Sequence, residues 1–405
     1  LDMHHPDLIH HIRIRRPDTA VKDRGVNVFP ALMIPDIFMR RLLNNEKWSF
    51  FSPVDAPDLV DLYGEAYEAK YIQYEREGKA VSTIDAKEIM FEIAKAVSVT
   101  GTPYICFKDA CNIKSNHKNR GTITNSNLCT EIIQYSSREE TSVCNLASIS
   151  IRSFVDKKTL KFDYAQLHKV VREIVRNLDN IIDISFAPIP GARLSTDRMR
   201  PIGIGVQGFA DALLLMKIPY ESDAAVEFNK ILFEHIYYGA MVETVALAEE
   251  RGAYPMFYDS PFSRGEFQFD MWGVKPSMVD KWDALRKKMM VHGTRHSLLT
   301  TLMPTASTSI IMGNVESFEP ITSNAYIRRA HAGEFQLINN YLVRELDDLG
   351  LWNETMRDKI LAGHGSVQDI MEIPEDMRLR YKTGFEIKQK HIINMAADRG
   401  AYIDQ

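Results

Sequence analysis

The sequence predicts an α/β fold, in which strands and helices alternate along the chain. Short apolar runs, such as residues 27–34 and 297–303, have the length and composition of buried strands. Longer stretches, of which 164–183 is the clearest, carry apolar residues at helical spacing. With 405 residues the chain exceeds the size at which one hydrophobic core usually stops growing, so we expect one large domain or two.

Composition limits the classes of function. Hydrophobic residues make up 45% and charged residues 25% of the chain, as is ordinary for a soluble globular protein. The net charge of −5 argues against binding to nucleic acid or to a membrane surface, since either normally requires a basic excess. No apolar run is long enough to span a bilayer. Four cysteines do not make a disulfide scaffold, so we expect a reducing, cytoplasmic setting.

The start of the chain carries no sign of a targeting segment. It begins at Leu1 in polar sequence, without the charged start and apolar stretch of a signal peptide. We therefore expect a piece of a longer protein. Nearby, His4, His5, His10 and His11 do not match common zinc spacings, which predicts histidines that are solvated or that face a partner.

Proline and glycine mark the elements of the first hundred residues. Pro35 ends an apolar strand ahead of a helix, and Pro57 suits the first turn of the next helix. An apolar run after Gly101 indicates another strand. The predicted elements are a strand at 27–34, helices at 36–41, 57–78 and 85–99, and a strand at 101–107.

A long polar segment and a hairpin are predicted next. Residues 108–126 lack periodicity and read as a loop, and long loops inside compact domains are usually functional. The strand-like runs 128–135 and 141–149 flank a polar turn and predict a β-hairpin. In that register Cys129 and Cys144 are about three residues, or roughly 10 Å, apart along the ladder, so they would not pair with each other.

Helices dominate the rest of the predicted structure. Apolar spacing indicates a helix at 164–183, and Gly252 ends a long helix that begins at Asp223. The other predicted elements are a helix at 209–216 after a glycine-rich segment, a strand at 297–303, helices at 334–349 and 386–399, and the start of a strand at 401–403.

Three polar side chains alternate in the stretch that begins at Asn127. In an extended segment, alternate side chains point the same way, so Asn127, Cys129 and Glu131 would share one face. An amide, a thiol and a carboxylate on one face suggest a site. The alternative is a half-buried hairpin edge, in which Cys129 serves as a small hydrophobic residue.

Two further motifs could contact a nucleotide. Gly203, Gly205 and Gly208 match the dinucleotide fingerprint as a string, but the preceding residues are not a hydrophobic strand. A tight turn that lets a strand pack close to the next helix explains these glycines better. The hydroxyl-rich turn 304–309 offers hydroxyls and free N–H groups that suit a mono- or diphosphate, although a simple helix cap explains it equally well. It lacks the lysine of a Walker loop.

The remaining polar candidates are less distinctive. The four cysteines form no zinc pattern, so no metal is predicted. Cys106 is interpreted as part of a strand core, and Cys111 as an inert thiol in the polar loop. The other candidates could orient a site near the phosphate turn or form a surface ion-pair network; they are Glu316, Glu319, Arg328 and Arg329.

Taken together, four motifs in this order resemble the large, catalytic subunit of class I ribonucleotide reductase, and most closely its eukaryotic and viral type. They are Asn-Leu-Cys-Thr-Glu-Ile at 127–132, Cys-Asn-Leu-Ala-Ser at 144–148, the glycine-rich segment 200–208 and the turn 303–308. The similarity runs through all 405 residues, which predicts one catalytic barrel domain, present in part, over 1–405.

The resemblance implies a ten-stranded α/β barrel with a central finger loop that carries the active cysteine. Cys129 would be the thiyl radical that removes the 3′ hydrogen of a ribonucleoside diphosphate. Glu131 would accept the proton of the 3′-OH, and Asn127 would hydrogen-bond the ribose hydroxyls. Cys144 would be one of two thiols that reduce the 2′ carbon. The substrate diphosphate would be held by the turn residues Pro304, Thr305, Ala306, Ser307 and Thr308.

The same resemblance implies partners. This segment would bind no cofactor itself, because the radical comes from a di-iron/tyrosyl small subunit. Thioredoxin or glutaredoxin would supply electrons, and the full protein would be a homodimer with ATP and dNTP effectors. The effector regions, the second redox thiol, the tyrosines that carry the radical and the redox-active tail have no match in this chain. We therefore expect this polypeptide alone to be inactive.

Two other classes of function stay open. The chain could be a non-catalytic barrel scaffold, or one half of a split reductase that needs a companion chain. The presence of Asn127, Cys129, Glu131 and Cys144 together favours the catalytic class, because a scaffold does not need them. A glycyl-radical reductase would require a C-terminal glycine motif that the sequence does not contain.

Overall fold

The computed structural model describes residues 1–331 and 333–405, and these form a mixed α/β structure as predicted. Strands and helices alternate closely in the first 150 residues. Short 3₁₀ turns occur at Val21–Asp23 and Pro57–Asp61. The elements are α1 (Leu8–Arg13), β1 (Ala31–Ile34), α2 (Asp36–Asn44), β2 (Lys47–Phe51), α3 (Gly64–Arg76), β3 (Ala80–Asp85), α4 (Ala86–Thr100), β4 (Tyr104–Phe107), α5 (Lys108–Ile113) and β5 (Asn145–Ser150).

The rest of the chain is mainly helical. Two more 3₁₀ turns lie at Ile151–Phe154 and Phe262–Arg264. The elements are α6 (Tyr164–Ile184), α7 (Pro190–Met199), β6 (Ile202–Gln207), α8 (Phe209–Leu215), α9 (Asp223–Arg251), α10 (Gln268–Met271), α11 (Val279–His292), α12 (Thr308–Met312), β7 (Ala325–Ala330), β8 (Gly333–Ile338), α13 (Asn340–Asp348), α14 (Glu354–Ala362), α15 (Glu375–Arg380) and α16 (Gln389–Gly400).

The described strands form four two-stranded sheets. β1 pairs with β4 and β5 pairs with β6 in parallel, whereas β2–β3 and β7–β8 are antiparallel. Beside β6, Ile204 forms a parallel bridge with Thr300, and the N–H of Thr301 donates to the carbonyl of Ile204 at 3.1 Å. The segment around Thr300 is therefore extended along the other side of β6. Among the described residues, these strands do not close into a barrel.

The main hydrophobic core surrounds β6 and the two longest helices. All six residues of β6 are buried, and α6 packs against α9. The buried stripe of α6 consists of Leu167, Val171, Val175, Leu178 and Ile182. A second core lies among the elements before residue 100, and a third among α13, α14 and α15. None of the helices in the described ranges is long and apolar enough to cross a membrane.

The strongest helix predictions are confirmed. The helix predicted at 164–183 is α6, whose start is capped by the Asp163 side chain. α9 has the predicted bounds Asp223–Arg251, with the Ser222 hydroxyl at its start and Gly252 at φ 87° after its end. Helix caps and apolar periodicity depend on neighbouring residues, and they can therefore be recognised in the sequence.

Two predicted helices are interrupted. The helix expected at 57–78 is a 3₁₀ turn followed by α3, because the backbone of Tyr63 is extended. α3 begins at Gly64, whose N–H donates to the Asp109 carboxylate at 2.7 Å. The helix expected at 334–349 is strand β8 followed by α13. Its strand portion pairs with β7, and Asn339 caps the helix.

The predicted hairpin is wrong. Residues 128–135 form no strand, and β5 pairs in parallel with the distant β6. The separation of roughly 10 Å predicted between Cys129 and Cys144 was derived from the hairpin register, which is not formed. The segment 108–126 is also more ordered than predicted, since it begins with α5 and buries Asn116 and His117. Residues 401–403 are buried but form no strand.

The antiparallel pair β2–β3 was not predicted, because its residues alternate poorly and its partners lie far apart in sequence. His4 also departs from the expectation of a solvated or partner-facing side chain. It is 5% exposed, and its Nδ1 lies 3.1 Å from the hydroxyl of Tyr67. Burial lowers its pKa to about 4, so this histidine is a neutral core residue.

Candidate functional site

Residues 126–132 form a tight loop with Cys129 at its tip. The Asn127 carbonyl accepts from the N–H of Thr130 at 3.2 Å, and the Asn127 Oδ1 accepts from the N–H of Ile132 at 3.1 Å. The Ser126 hydroxyl closes the loop by donating to the Ile132 carbonyl at 2.7 Å. Thr130 has φ 67°, in the left-handed region. The extended segment with one shared polar face is therefore not formed.

The loop presents Cys129 and Asn127 to solvent. Both residues are exposed, and the next apolar side chain, Leu128, is 57% exposed. Partial desolvation, together with the negative charge of Glu131, raises the pKa of the Cys129 thiol. The thiol is therefore protonated at neutral pH and lies within the field of the Glu131 carboxylate.

Glu131 turns inward from the same loop. Its backbone carbonyl accepts a 2.6 Å hydrogen bond from the hydroxyl of Thr301, a fully buried residue beside β6. Its Oε2 is buried and has no hydrogen-bond partner among the described residues. Buried polar atoms are normally paired, so this oxygen is available to a hydroxyl of a ligand.

Cys144 lies just before β5 and beside Gly203 of β6. A Cβ atom added to Gly203 would lie 3.1 Å from the Cys144 Sγ and would overlap the side chain of Thr301. The Gln405 Nε2 donates to the Cys144 Sγ at 3.4 Å. Burial raises the pKa of this thiol to about 12, and the hydrogen bond from Gln405 opposes the rise.

Glu131 connects the two cysteines. Its charge contributes to the raised pKa of both Cys129 and Cys144, and its backbone is tied to Thr301, which flanks Gly203 together with Cys144. All four cysteines are free. The Glu131 carboxylate therefore lies near both the exposed thiol of Cys129 and the partly buried thiol of Cys144.

The glycine-rich segment serves close packing. Added Cβ atoms at Gly203 and Gly205 would collide with Thr301 and Met303, so these two glycines let β6 lie against the segment around residue 300. Gly208 has φ 73° and forms the turn into α8. The predicted tight turn is therefore correct for Gly208, whereas Gly203 and Gly205 act within the strand.

The hydroxyl-rich turn follows directly from this segment. Thr305 is 3% exposed, its Oγ1 accepts from the N–H of Ser317 at 2.7 Å, and its carbonyl accepts from the N–H of Ser309 at 2.8 Å. The Ser317 hydroxyl is buried without a partner in the described part of the chain. The side chains around Thr305 face solvent; they are Pro304, Ala306, Ser307 and Thr308.

An arginine holds the far end of this turn. Arg152 donates from Nη1 to the carbonyl of Gly313 at 2.7 Å and from Nη2 to the carbonyl of Met312 at 2.6 Å. Cations are favourable at the end of a helix, where carbonyls are unpaired. The turn and the short helix α12 are therefore fixed at both ends.

The contacts and burial of several other candidate residues are explained by the fold alone. Arg329 forms an exposed 2.8 Å ion pair with Glu334 across β7 and β8, which supports the surface ion-pair interpretation for this residue. Cys106 is 5% exposed within β4, as predicted for a strand core, and burial also raises the pKa of Cys111. In residues 1–331 and 333–405, no group of three or more His, Cys, Asp or Glu side chains could hold a metal.

A separate groove lies on the first part of the chain. It has a volume of about 500 Å³ and is lined by side chains of α1, β3 and α4, including the exposed Phe91. None of the predicted site residues lines it. Its volume alone does not make it the active site, because the buried unpaired carboxylate and the thiols lie elsewhere.

Sequence reasoning did not select Thr301 or Gln405. Thr301 supports the backbone of Glu131, and Gln405 contacts Cys144. Neither residue belongs to a recognisable spacing, and each meets its partner across more than a hundred residues of chain. No local signal could have identified them.

Comparison with known proteins agrees with these motifs. A family model described as "Ribonucleotide reductase, barrel domain" matches residues 1–405. The ribonucleoside-diphosphate reductase large chain of Neurospora crassa is 47% identical over 405 residues, which cover 100% of this chain and 44% of the relative. Large chain 2 of Saccharomyces cerevisiae is 46% identical and covered to 47%, and the large subunit of Caenorhabditis elegans is 47% identical and covered to 51%. The chain thus spans about half the length of these relatives.

Proposed function

The chain belongs to the ribonucleotide reductase barrel-domain family, and we propose that it is the catalytic segment of a ribonucleoside-diphosphate reductase large subunit. The substrate class is ribonucleoside diphosphates, and the product is the 2′-deoxy form. The observation that carries the proposal is the unpaired, buried Oε2 of Glu131, in the loop with Cys129 at its tip, which Thr301 ties to the strand beside Cys144.

Each polar residue of the loop has a separate role in the first half of the reaction. Cys129, once converted to a thiyl radical by a partner protein, takes the 3′ hydrogen of the ribose and later returns it. Glu131 accepts the 3′-OH proton through its free Oε2. The Asn127 Oδ1 is engaged by the N–H of Ile132, so the Nδ2 group is the part of this amide that donates to a ribose hydroxyl.

Cys144 acts in the second half. It and a second thiol together lose two protons and two electrons and form a disulfide, while the 2′-OH leaves as water and the 2′ carbon gains hydrogen. The family resemblance implies a second thiol upstream of Cys106, and the sequence has no cysteine there, so this thiol would be supplied from outside these residues. The partly buried position of Cys144 supports this role, because burial limits the access of stray oxidants to the thiol.

The diphosphate binds at the turn 304–308. Thr305 anchors the turn through its contacts with Ser317 and Ser309, which leaves Ala306, Ser307 and Thr308 exposed to a ligand. Exposed hydroxyls and N–H groups at a turn favour phosphate oxygens. The hydrogen bond between Thr301 and Glu131 supports the assignment, because it ties the cysteine loop to the strand that leads into the turn.

We also propose the finer architecture of the family for this chain, a ten-stranded barrel with residues 126–132 as its finger loop. The parallel pairs β1–β4 and β5–β6 and the extended segment at Thr300 support a barrel wall. The exposed tip at Cys129 supports the finger loop, which would reach the substrate inside the barrel.

The proposed partners follow from the chemistry. A radical-generating small subunit, of the di-iron/tyrosyl type, oxidises Cys129, and a dithiol protein such as thioredoxin or glutaredoxin reduces the disulfide of Cys144. The full protein would be a cytoplasmic homodimer regulated by ATP and dNTPs at regions outside these residues.

Product formation tests the proposal. The full-length protein is assembled with a class I small subunit, CDP and a dithiol reductant, and dCDP is quantified. We expect Cys129→Ser and Cys144→Ser to abolish multiple turnover, whereas the control Cys111→Ser retains it. Wild-type turnover by Cys129→Ser would rule out the radical role. A wild-type assembly that forms but makes no dCDP would favour the scaffold alternative.

A further inference from the structure

The side-chain amide of Gln405 is fixed against the thiol of Cys144. Its Nε2 donates to the Cys144 Sγ at 3.4 Å and to the carbonyl of Ile202 at 2.9 Å, while its Oε1 accepts from the Nε2 of Gln134 at 2.9 Å. Gln405 and Gln134 are 7% and 2% exposed. A flipped amide would place its oxygen against the Ile202 carbonyl, so only one orientation satisfies these contacts.

The backbone that carries this amide is also held. Lys114 donates from Nζ to the carbonyl of Gln405 at 2.8 Å. The neighbouring Asp404 is fully buried, and its carboxylate accepts from the N–H of Thr300 at 2.7 Å and from the N–H of Leu299 at 2.9 Å. Gln405 is therefore anchored to the same segment, beside β6, that supports Glu131.

We propose that Gln405 is a positioning residue that aims the Cys144 sulfur and favours its deprotonated form. This inference rests on the proposed function, in which Cys144 is one of two reducing thiols. An amide N–H donates to a thiolate more strongly than to a neutral thiol, because the bond to the charged sulfur is charge-assisted. The contact therefore lowers the cost of removing the Cys144 proton.

The electrostatic surroundings make this contribution necessary. Burial raises the pKa of Cys144 to about 12, and the nearby charges of Asp404 and Glu131 add to the rise. The hydrogen bonds from Gln405 and Gln134 act in the opposite direction. Without the amide, the Cys144 thiolate would face the charges of Asp404 and Glu131 with one hydrogen-bond donor fewer.

The consequence lies in the reducing step. When Cys144 and the second thiol form a disulfide, each sulfur gives up one proton, and together they deliver two electrons to the 2′ carbon as water leaves. Gln405 assists the proton loss of Cys144 and is proposed to act only through this thiol. We therefore expect its removal to lower kcat with little change in KM.

Thiol reactivity tests the positioning role without turnover. The reduced chain is alkylated at one mildly alkaline pH, and the rates at Cys144 and Cys129 are compared by peptide mass mapping. Gln405→Glu keeps the volume but replaces the donor by a carboxylate, so we expect the Cys144 rate to fall about tenfold or more relative to Cys129. Gln405→Met should have a smaller effect of the same sign.

Two variants provide controls. Gln134→Met removes the second amide that stabilises the Cys144 thiolate and also releases the Oε1 of Gln405, so a slowing is expected even if Gln405→Glu folds poorly. Gln73→Met, on the exposed face of α3, should leave the rate unchanged. A wild-type or faster Cys144 rate in folded Gln405→Glu or Gln405→Met would overturn the inference, because a merely structural contact lowers thermal stability without slowing the thiol.

Turnover separates this inference from the proposed function. In the full-length assembly, Gln405→Met should lower kcat and leave KM within about twofold. If Cys144→Ser retains wild-type turnover, the proposed role of Cys144 fails, whatever the alkylation rates. If Cys144→Ser is inactive but Gln405→Met has wild-type kcat and alkylation, the function stands and the positioning role fails.

Discussion

The hydroxyl of Thr301 donates a 2.6 Å hydrogen bond to the backbone carbonyl of Glu131. This bond joins the loop that carries Cys129 to the extended segment beside β6. The same Thr301 side chain lies in the space left by Gly203, next to Cys144. One buried threonine therefore holds the two halves of the candidate site in register.

Replacing Thr301 by valine should loosen the cysteine loop. Thr301→Val keeps the shape but leaves the Glu131 carbonyl without its donor, and such a loss costs about 1–3 kcal/mol of unfolding free energy. Urea denaturation measures the loss, and limited proteolysis should cut faster within residues 126–132. Thr355→Val, at an exposed position of α14, is the control. Equal stabilities for the two variants would contradict the prediction.

A methyl group at Gly203 should be poorly tolerated. The new Cβ would overlap Thr301 and lie 2.6 Å from the Leu146 Cδ2, so β6 would have to move. We expect Gly203→Ala to lose about 1–3 kcal/mol of stability, as overpacked cores do. In Gly400→Ala the Cβ meets nothing within 4 Å, and the helix α16 should be unaffected or slightly more stable. Thermal denaturation of both variants decides the matter.

The buried carboxylate of Asp179 should be essential for stability. Its oxygens contact Arg200 at 2.5 Å, Arg251 at 2.7 Å and Arg295 at 3.1 Å. Burial alone would raise the pKa of this carboxyl, but hydrogen bonds from His296 and Arg200 hold it well below its usual range. The ion contacts of Asp179 therefore stabilise the fold at pH values above the ordinary pKa of an aspartate. This contribution is lost as the pH falls through the lowered pKa of the folded state.

Asp179→Asn should lose about 3–5 kcal/mol at neutral pH, because it leaves the buried Arg200 guanidinium with only the half-exposed Asp183 carboxylate as a charged partner. The exposed pair between Arg193 and Asp197 provides the control, since Asp197→Asn should cost less than about 1 kcal/mol. Denaturant titration of both variants at neutral and acidic pH measures the difference. A small, pH-independent loss in Asp179→Asn would refute the account.

Asp404 should give the opposite pH dependence. Burial raises its pKa from 3.8 to about 6, although hydrogen bonds from the backbone of Thr300 and Leu299 oppose the rise. A carboxyl whose pKa is raised by folding stabilises the fold fully below 3.8, and this contribution is lost as the pH rises through about 6. Relative to Asp404→Asn, the wild type should lose about 3 kcal/mol over this window. Parallel stability curves for the two proteins would exclude the effect.

The cysteines should react with an alkylating reagent in a fixed order. Cys129 is exposed, whereas burial raises the pKa values of Cys106 and Cys144 to about 12. Because the thiolate is the reactive form, brief treatment of the native chain should modify Cys129 first. Peptide mass mapping follows the order, and in denaturant the differences should disappear. Early modification of Cys106 would show that the native packing differs.

Elements with local determinants could be predicted from sequence. The bounds of α9 follow from the Ser222 cap and Gly252, and those of α6 from its apolar stripe. The hairpin at 128–149 could not be predicted correctly, because β5 gains its partner from β6 and Thr130 adopts a left-handed backbone. The loop is closed by side-chain hydrogen bonds of Ser126 and Asn127 that periodicity does not reveal, and the strand pairing depends on residues distant in sequence. The same reason explains why Thr301 and Gln405 were not selected.

The sequence by itself determined the chemistry available to this chain. The types and order of Asn127, Cys129, Glu131 and Cys144, with the turn 304–308, were sufficient to indicate the ribonucleotide reductase family, to which the family match over residues 1–405 assigns the chain.

Only the tertiary structure decided how these groups meet. It exposes Cys129, partly buries Cys144, leaves one oxygen of Glu131 unpaired and brings Gln405 to the second thiol. These properties arise from desolvation and from contacts between segments far apart in the chain, which spacing along the sequence does not specify.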